Sequence, residues 1–255
     1  MARQLGLSKI SEVIGIKTSI IAKFQALILR RVFVTRALAI VSGILGLTIA
    51  LTYYGINVGN FVISVEGNYV ASIALTVDEN KEDLRSTLIA DNQRDILDAD
   101  YSFIPSTVTE GLGNKYSESA RYYAYSFYLV NVGTVAVNYT MEFNLVRANK
   151  QLDSILRVMI VKDEQETIYA KARETESHYG EPEPVIVGRA DNIIGYTTPF
   201  IEDQTKAIIR ETYYDFQENE SHRYTVVMWL DGWDAEQVDE MKGAALQTEI
   251  KFTIL

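Results

Sequence analysis

The longest uncharged stretch of this 255-residue chain constrains its fold more than any other feature. No Asp, Glu, Lys or Arg lies between Arg36 and Glu66, and residues 37–54 read ALAIVSGILGLTIALTYY. At about 1.5 Å per residue, a helix over this segment is about 27 Å long, close to the roughly 30 Å of hydrocarbon in a bilayer. The preceding VFVT and a snorkelling Arg36 supply the remaining length. We therefore predict a transmembrane helix in residues 32–56.

Charge is distributed very unequally on the two sides of this segment. Residues 1–54 hold seven Lys or Arg and one acid, whereas residues 55–255 hold 17 bases and 33 acids, so the formal charges are +6 and −16. The positive-inside rule places the basic N-terminus in the cytoplasm and the C-terminal body outside the cell. Such an acidic body repels phosphate, which argues against nucleic acid as a partner.

A cleaved signal peptide is the main alternative to a retained anchor. Cleaved signals usually have a short basic leader, whereas some 36 residues precede the apolar segment here. No convincing A-x-A cleavage site follows that segment either. We therefore predict an uncleaved signal anchor.

Residues 1–31 have the apolar periodicity of an amphipathic helix, with basic residues between the apolar positions. Such a helix can lie on an anionic inner leaflet, or it can dock onto a partner protein, and both alternatives remain open. The predicted partners are the lipid bilayer and either another protein or a second copy of this chain. These contacts would run through the membrane and cytoplasmic helices.

The remaining segment, residues 57–255, is predicted to be an extracellular β-sandwich domain. Eight or nine stretches alternate apolar and polar residues, as half-buried strands do, and few helical patterns interrupt them. The chain contains 16 tyrosines, which favour strands, and no cysteine, which excludes disulfides, thiolate metal sites and cysteine nucleophiles. Turn signals at Gly67 and at Asn131 predict two hairpins. Residues 173–201 are rich in Pro and Gly and are predicted to form a long surface connection.

Three stretches of the body, following the apolar segment in order, resemble the TasA/camelysin group of Gram-positive surface proteins. They are FYLVNVGTVAVNYTMEFNL, LDSILRVMIVKD and YTVVMWLDGWDAEQVDEMKGAALQTEIKF. The strongest similarities are an N-x-G turn between two strands, at Asn131 and Gly133, and a W-L-acid-G strand end at residues 229–232. The resemblance covers residues 37–255 and implies a jelly-roll-like β-sandwich exported across the membrane.

Members of this group differ in function: some build extracellular fibres, and some have been described as proteases. Exported members usually have a short leader and a cleavage site, whereas this chain has a long basic head and no evident site. The resemblance therefore implies a membrane-tethered relative rather than a secreted fibre subunit. Because a retained anchor restricts strand donation to lateral neighbours, we predict that the first strand, in NFVISVEG, folds into its own domain.

Motifs for most kinds of catalysis are missing from the sequence. The two histidines, His178 and His222, do not form an H-E-x-x-H pair, and neither accompanies a G-x-S-x-G elbow. The prediction is a non-enzymatic structural, assembly or accessory protein of the cell envelope. The alternative is a surface hydrolase that uses carboxylates, as glycosidases do, or a bound metal.

A cluster of acids follows the strand that ends in Trp229 and Leu230. Calcium takes six to eight oxygen ligands, so these acids form a candidate calcium site, although their spacing is not that of an EF-hand loop. The candidate ligands are Asp231, Asp234, Glu236 and Asp239. The favoured interpretation is that Gly232 turns the chain, that the acids solvate the turn, and that Asp234 caps a short helix.

Overall fold

A computed structural model describes most of the C-terminal body and a short part of the N-terminal region. The described residues are 39–46, 61–66, 72–93, 95–116, 120–202, 206–237 and 239–255. The chain divides into two compact units, Met1–Asn57 and Val58–Leu255. All of the described strands belong to the second unit.

In the first unit, residues 39–46 are helical, and large apolar side chains such as Ile40 and Leu45 are exposed. No helix within the described residues has both the length and the apolar character needed to span a membrane. The predicted amphipathic helix, residues 1–31, lies outside the described residues, as does most of the predicted anchor, residues 32–56. Both stay predictions.

The second unit is mainly β, as predicted. Its described strands are β1 (Val62–Glu66), β2 (Ile73–Thr76), β3 (Thr87–Ile89), β4 (Gly113–Tyr116), β5 (Tyr123–Asn131), β6 (Val137–Ala148), β7 (Leu156–Lys162), β8 (Gln165–Ala170), β9 (Pro184–Val187), β10 (Arg189–Tyr196), β11 (Thr198–Pro199), β12 (Ala207–Phe216), β13 (Ser221–Leu230) and β14 (Leu246–Ile254). Three short 3-10 helices occupy Tyr101–Phe103, Ser106–Thr109 and Asp239–Met241.

The strands form two large sheets and one small one. A five-stranded sheet has the order β12-β6-β14-β1-β3, and a seven-stranded sheet has the order β11-β8-β7-β13-β5-β2, with β4 also paired to β5. Strands β9 and β10 pair with each other as a separate antiparallel sheet. This small sheet and the two-residue β11 lie in residues 173–201, so the predicted surface connection contains three strands.

One apolar core is shared by the two large sheets, which therefore form a sandwich. Phe143 and Phe252 of the five-stranded sheet and Phe127 of the seven-stranded sheet all belong to this core. The seven-stranded sheet is buried on both faces, because Val226 belongs to the shared core while Val227 belongs to a second cluster on the opposite face. Burial on both faces explains why strands such as β13 are continuous apolar runs rather than clean alternations.

The first strand folds into its own domain, as predicted. Strand β1 pairs in parallel with β14, where Ile63 lies opposite Ile250, and antiparallel with β3, where Ile63 lies opposite Leu88. The Ile63 side chain is completely buried. Strand β1 is therefore an interior strand of the five-stranded sheet.

The two predicted hairpins are wrong, because their strands belong to different sheets. At the end of β5, the Asn131 side chain donates to the carbonyls of Val135 and Phe216 at 2.9 and 2.8 Å, and it accepts from the Gly133 amide at 3.0 Å. These bonds hold a turn that carries the chain from one sheet to the other. Strands β1 and β2 likewise lie in different sheets, and the residues at Gly67 that join them are not described.

Candidate functional site

A buried arginine lies beside the strand end that carries the acids. Strand β13 pairs with β7 so that Trp229 lies opposite Arg157, and Arg157 is only 1% exposed. A guanidinium in an apolar surrounding needs acceptors for its donors, since an unpaired buried charge is very costly. Asp234 Oδ2 accepts a hydrogen bond from Arg157 Nη2, and the carboxylates of Glu183 and Asp231 lie within ion-pair distance of the guanidinium. We call these four residues the arginine cluster.

The carboxylate oxygens of the arginine cluster lie 2.7 to 3.5 Å from the guanidinium nitrogens. Arg157 Nη2 lies 2.7 Å from Asp234 Oδ2 and 3.5 Å from Glu183 Oε2, and Arg157 Nε lies 3.2 Å from Asp231 Oδ2. A second guanidinium, that of Arg173, contacts Glu183 Oε2 at 3.4 Å. The four residues of the cluster are at most 8% exposed.

Both aspartates also shape the turn that follows β13. Asp231 Oδ1 accepts from the Trp233 amide at 2.9 Å, and Asp234 Oδ1 accepts from the Glu236 amide at 2.8 Å. Each carboxylate thus uses one oxygen for the turn and the other for Arg157. The cluster therefore fastens the loop after β13 to strand β7.

The predicted short helix from Asp234 is wrong. Asp234 caps a single turn, in which the Gln237 amide donates to the Asp234 carbonyl at 3.1 Å, and the helical residues begin later, at Asp239. The favoured interpretation that these acids simply solvate the turn is also wrong for Asp231 and Asp234, which are buried.

Burial and mutual repulsion disfavour the charged forms of two of the carboxyls. Burial raises the pKa of Glu183, and the nearby Asp234 raises it further, more than Arg157 and Arg173 lower it. Burial likewise raises the pKa of Asp231, against the opposing effects of Arg157 and the Trp233 amide. The loss of water around these two carboxyls therefore outweighs the attraction of the guanidinium groups.

The structure brings together only some of the predicted calcium ligands. Asp231 and Asp234 meet at Arg157, and oxygens of Glu183, Asp234 and Glu236 lie within 4.8 Å of one another. Asp239 is not part of this group, because its exposed carboxylate pairs with Lys242 Nζ at 2.7 Å. Calcium binding stays a hypothesis, with Glu183 in the position that Asp239 was predicted to fill.

Sequence reasoning missed Arg157 and Glu183. Arg157 is the single base in the apolar run LRVMIV of β7. This is a usable signal, because a charged side chain in a strand buried on both faces is almost always paired with an opposite charge. Glu183 stands between two prolines in the segment that was predicted to be a surface connection. Nothing in that local pattern indicates burial.

The two histidines have carboxylate partners. His178 is exposed, and its Nδ1 lies 2.9 Å from Glu181 Oε2. His222 is the second residue of β13, where its ring stacks on Phe216 and its Nδ1 lies 2.5 Å from Asp163 Oδ2.

No family model and no curated protein matches this chain. A guanidinium enclosed by three buried carboxylates can tie loops together, but its acids are occupied and shielded from solvent. The arrangement thus favours a structural tie over a site that binds a substrate.

Calcium should leave the melting temperature of the isolated domain unchanged, because Asp231 and Asp234 already use one oxygen for the turn and the other for Arg157. Thermal unfolding in excess calcium and in excess chelator measures this directly. A rise in melting temperature with calcium that disappears in an Asp231→Asn, Asp234→Asn double variant would establish the calcium hypothesis instead. Asp239→Asn is the matched control, because its carboxylate pairs with Lys242 and lies outside the cluster.

Proposed function

We propose that this chain is a single-pass membrane protein of a Gram-positive-type cell envelope. Its N-terminus is cytoplasmic, and its exterior domain is a jelly-roll-like β-sandwich that acts as a structural, assembly or accessory module. The observation that carries the proposal is the uncharged stretch before Glu66, which separates a head of charge +6 from a body of −16. The first strand of the sandwich, β1, lies at the end of this stretch.

A structural or binding module fits the site better than a hydrolase does. A hydrolase needs an open, concave site in which reactive acids converge. The acids that converge here, Asp231, Asp234 and Glu183, surround a guanidinium and are almost completely buried. Their arrangement therefore supports stability rather than catalysis.

The edges of the sandwich give little support to assembly by strand addition. At the ends of the five-stranded sheet, β3 has three residues, and β12 has bulges between Ala207 and Ile209 and between Tyr213 and Phe216. At one end of the seven-stranded sheet, β11 has two residues. Short and bulged edges are the usual protection against pairing with another chain. We therefore place the contacts with a protein partner or a second copy in the membrane and cytoplasmic helices.

A topology experiment tests the proposal. A reporter enzyme fused after Leu255 should be active only outside the cytoplasm, and the full-length protein should remain with the membrane fraction. Replacing Arg30, Arg31 and Arg36 with glutamate should weaken or scramble the orientation, because these bases carry the inside bias. The measurement is reporter activity together with protease accessibility of the body in intact cells.

A matched control changes the same amount of charge in the body. Glutamate in place of Arg85, Arg189 and Lys242, which are exposed, should leave the orientation unchanged. A shortened mature form in the culture medium would contradict a retained anchor. An intracellular body would contradict the proposed location as a whole.

A further inference from the structure

One segment of the domain covers a sheet without belonging to it. Residues 101–112, which we call the strap, contain two short 3-10 helices and no paired strand. The strap crosses the outer face of the seven-stranded sheet, where Val108 packs in the second apolar cluster with Met159, Val227 and Trp229. The ring of Tyr101 also meets the ring of Trp229, with centroids 6.4 Å apart.

The strap is fastened mainly by two cations of the sheet. Arg223 Nη2 donates to the carbonyl of Thr109 and, at 2.7 Å, to that of Gly111. Lys115 Nζ donates to the Val108 carbonyl and, at 2.9 Å, to Ser126 Oγ. These bonds anchor the strap through side chains, whereas a strand is anchored by a continuous backbone ladder.

Several buried polar groups make the closed position of the strap less favourable in free energy. Burial, and then repulsion from Arg223, lower the pKa of Lys115 to about 8, although the charge of Glu110 opposes this. Within the described residues, neither Arg223 Nε nor Trp229 Nε1 has a hydrogen-bond acceptor, and both atoms are buried. Buried polar groups without partners are expensive, and they regain water when a covering segment moves away.

Backbone hydrogen bonds hold the chain in place just before and just after the strap, so the strap can move between two fixed ends. Before it, the Ala99 amide donates to the Leu230 carbonyl at 2.8 Å, and the Ala99 carbonyl accepts from the Gly232 amide at 2.9 Å. After it, β4 pairs with β5. Gly111 and Gly113 at that end have φ angles of +68° and +78°, which other residues rarely adopt, and they give the chain a flexible joint.

We propose that the strap opens as a unit while the two sheets stay folded, exposing the apolar strip formed by Met159, Val227 and Trp229. Opening hydrates the buried donors and the Lys115 ammonium. It gives up the apolar contacts of Val108 and three cation–carbonyl hydrogen bonds, two from Arg223 and one from Lys115. The strap is thus a built-in cover for an apolar surface on the outer face of the domain.

Hydrogen exchange of the full-length protein in detergent, read by mass spectrometry of peptides, tests this proposal. The strap peptides should exchange at least about tenfold faster than peptides from β6 and β14, because opening needs no global unfolding. Arg223→Met removes two charge-assisted anchors and should accelerate the strap peptides by a further tenfold or so, with β6 and β14 unchanged. Lys150→Met is the matched control, because Lys150 also donates to a carbonyl, that of Lys242, but in another loop.

Two outcomes would overturn the proposal. Strap peptides that exchange as slowly as β6 in the unchanged protein show that the strap is part of the global unit. An Arg223→Met variant that accelerates every peptide equally shows the same. If that variant fails to fold, Val108→Ala takes its place, because it removes only apolar contact of the strap and should accelerate the strap peptides alone.

Discussion

Replacing Arg157 with methionine should lower the free energy of unfolding of the domain by about 3–5 kcal/mol. The guanidinium is the common partner of Asp231, Asp234 and Glu183, all of them buried. Methionine fills much of the same volume, so the loss comes mainly from buried carboxylates that lose a cationic partner. Asp231 and Asp234 keep backbone amide donors, whereas Glu183 keeps the Arg173 guanidinium. Urea unfolding followed by tryptophan fluorescence at neutral pH measures the change.

Acid should restore part of the stability that this variant loses. Burial already raises the pKa of Glu183 and of Asp231 in the folded domain, and loss of Arg157 raises both pKa values further. A carboxyl whose folded pKa exceeds its unfolded pKa stabilises the fold below the unfolded pKa, and this contribution disappears as the pH rises through the folded pKa. The deficit of the variant should therefore shrink as the pH falls from 7 to about 5.

Arg189→Met is the matched control for this experiment. Arg189 also pairs with a carboxylate, that of Asp191, but its side chain is 78% exposed. An exposed pair contributes little, so the unfolding free energy should change by less than about 1 kcal/mol. An Arg157→Met domain that is as stable as the unchanged one at neutral pH would show that the cluster carboxylates are not charged, or not buried, in solution.

The β-rich fold could be predicted because local alternation of side chains records which residues face a core. The stretches ARYYAYSFYLVNVG and TVAVNYTMEFNLVRA have this alternation, and they contain β5 and β6. Their pairing could not be derived in the same way. Strand β6 pairs with β12 and β14, which lie far away in sequence, so the turn signal at Asn131 marked a crossing between sheets rather than a hairpin.

Only part of the candidate site could be predicted from the sequence, for a related reason. Asp231 and Asp234 are close in sequence, so their clustering could be read directly. Their partner Arg157 is 77 residues from Asp234, and only the pairing of β7 with β13 brings the two together. A single base in an apolar strand predicts a buried partner, but the sequence does not name that partner.

Removing the first two strands should abolish cooperative folding of the domain. Strand β1 lies between β14 and β3, so a chain that begins at Asp78 exposes two sheet edges and opens the core. It also loses Phe61, whose ring centroid lies 6.0 Å from that of Phe143, and the buried Ile63. Truncating one such side chain costs about 2–5 kcal/mol, and the total stability of a domain is about 5–15 kcal/mol. Circular dichroism and thermal unfolding of the shortened chain measure this.

Point variants test whether the buried side chains of β1, and not only the presence of the strand, stabilise the domain. Ile63→Ala should cost about 2–5 kcal/mol, because the side chain is completely buried between the sheets. Ser64→Ala on the other face of the same strand should cost less than about 1 kcal/mol, since its contact with Glu249 is long, at 3.5 Å, and partly exposed. Equal effects of the two variants would contradict the pairing of β1 within its own sheet.

A chain that begins at Asn57 retains β1 and should be a soluble, folded monomer. Its first strand is already paired on both sides, so it has no reason to seek the sheet of a neighbour. Analytical ultracentrifugation and electron microscopy measure its state. Filaments formed by this chain would show that assembly resides in the sandwich itself, and the fibre-subunit interpretation would then replace the tethered accessory module. A monomer, together with oligomers of the full-length protein in detergent, would place assembly in residues 1–56.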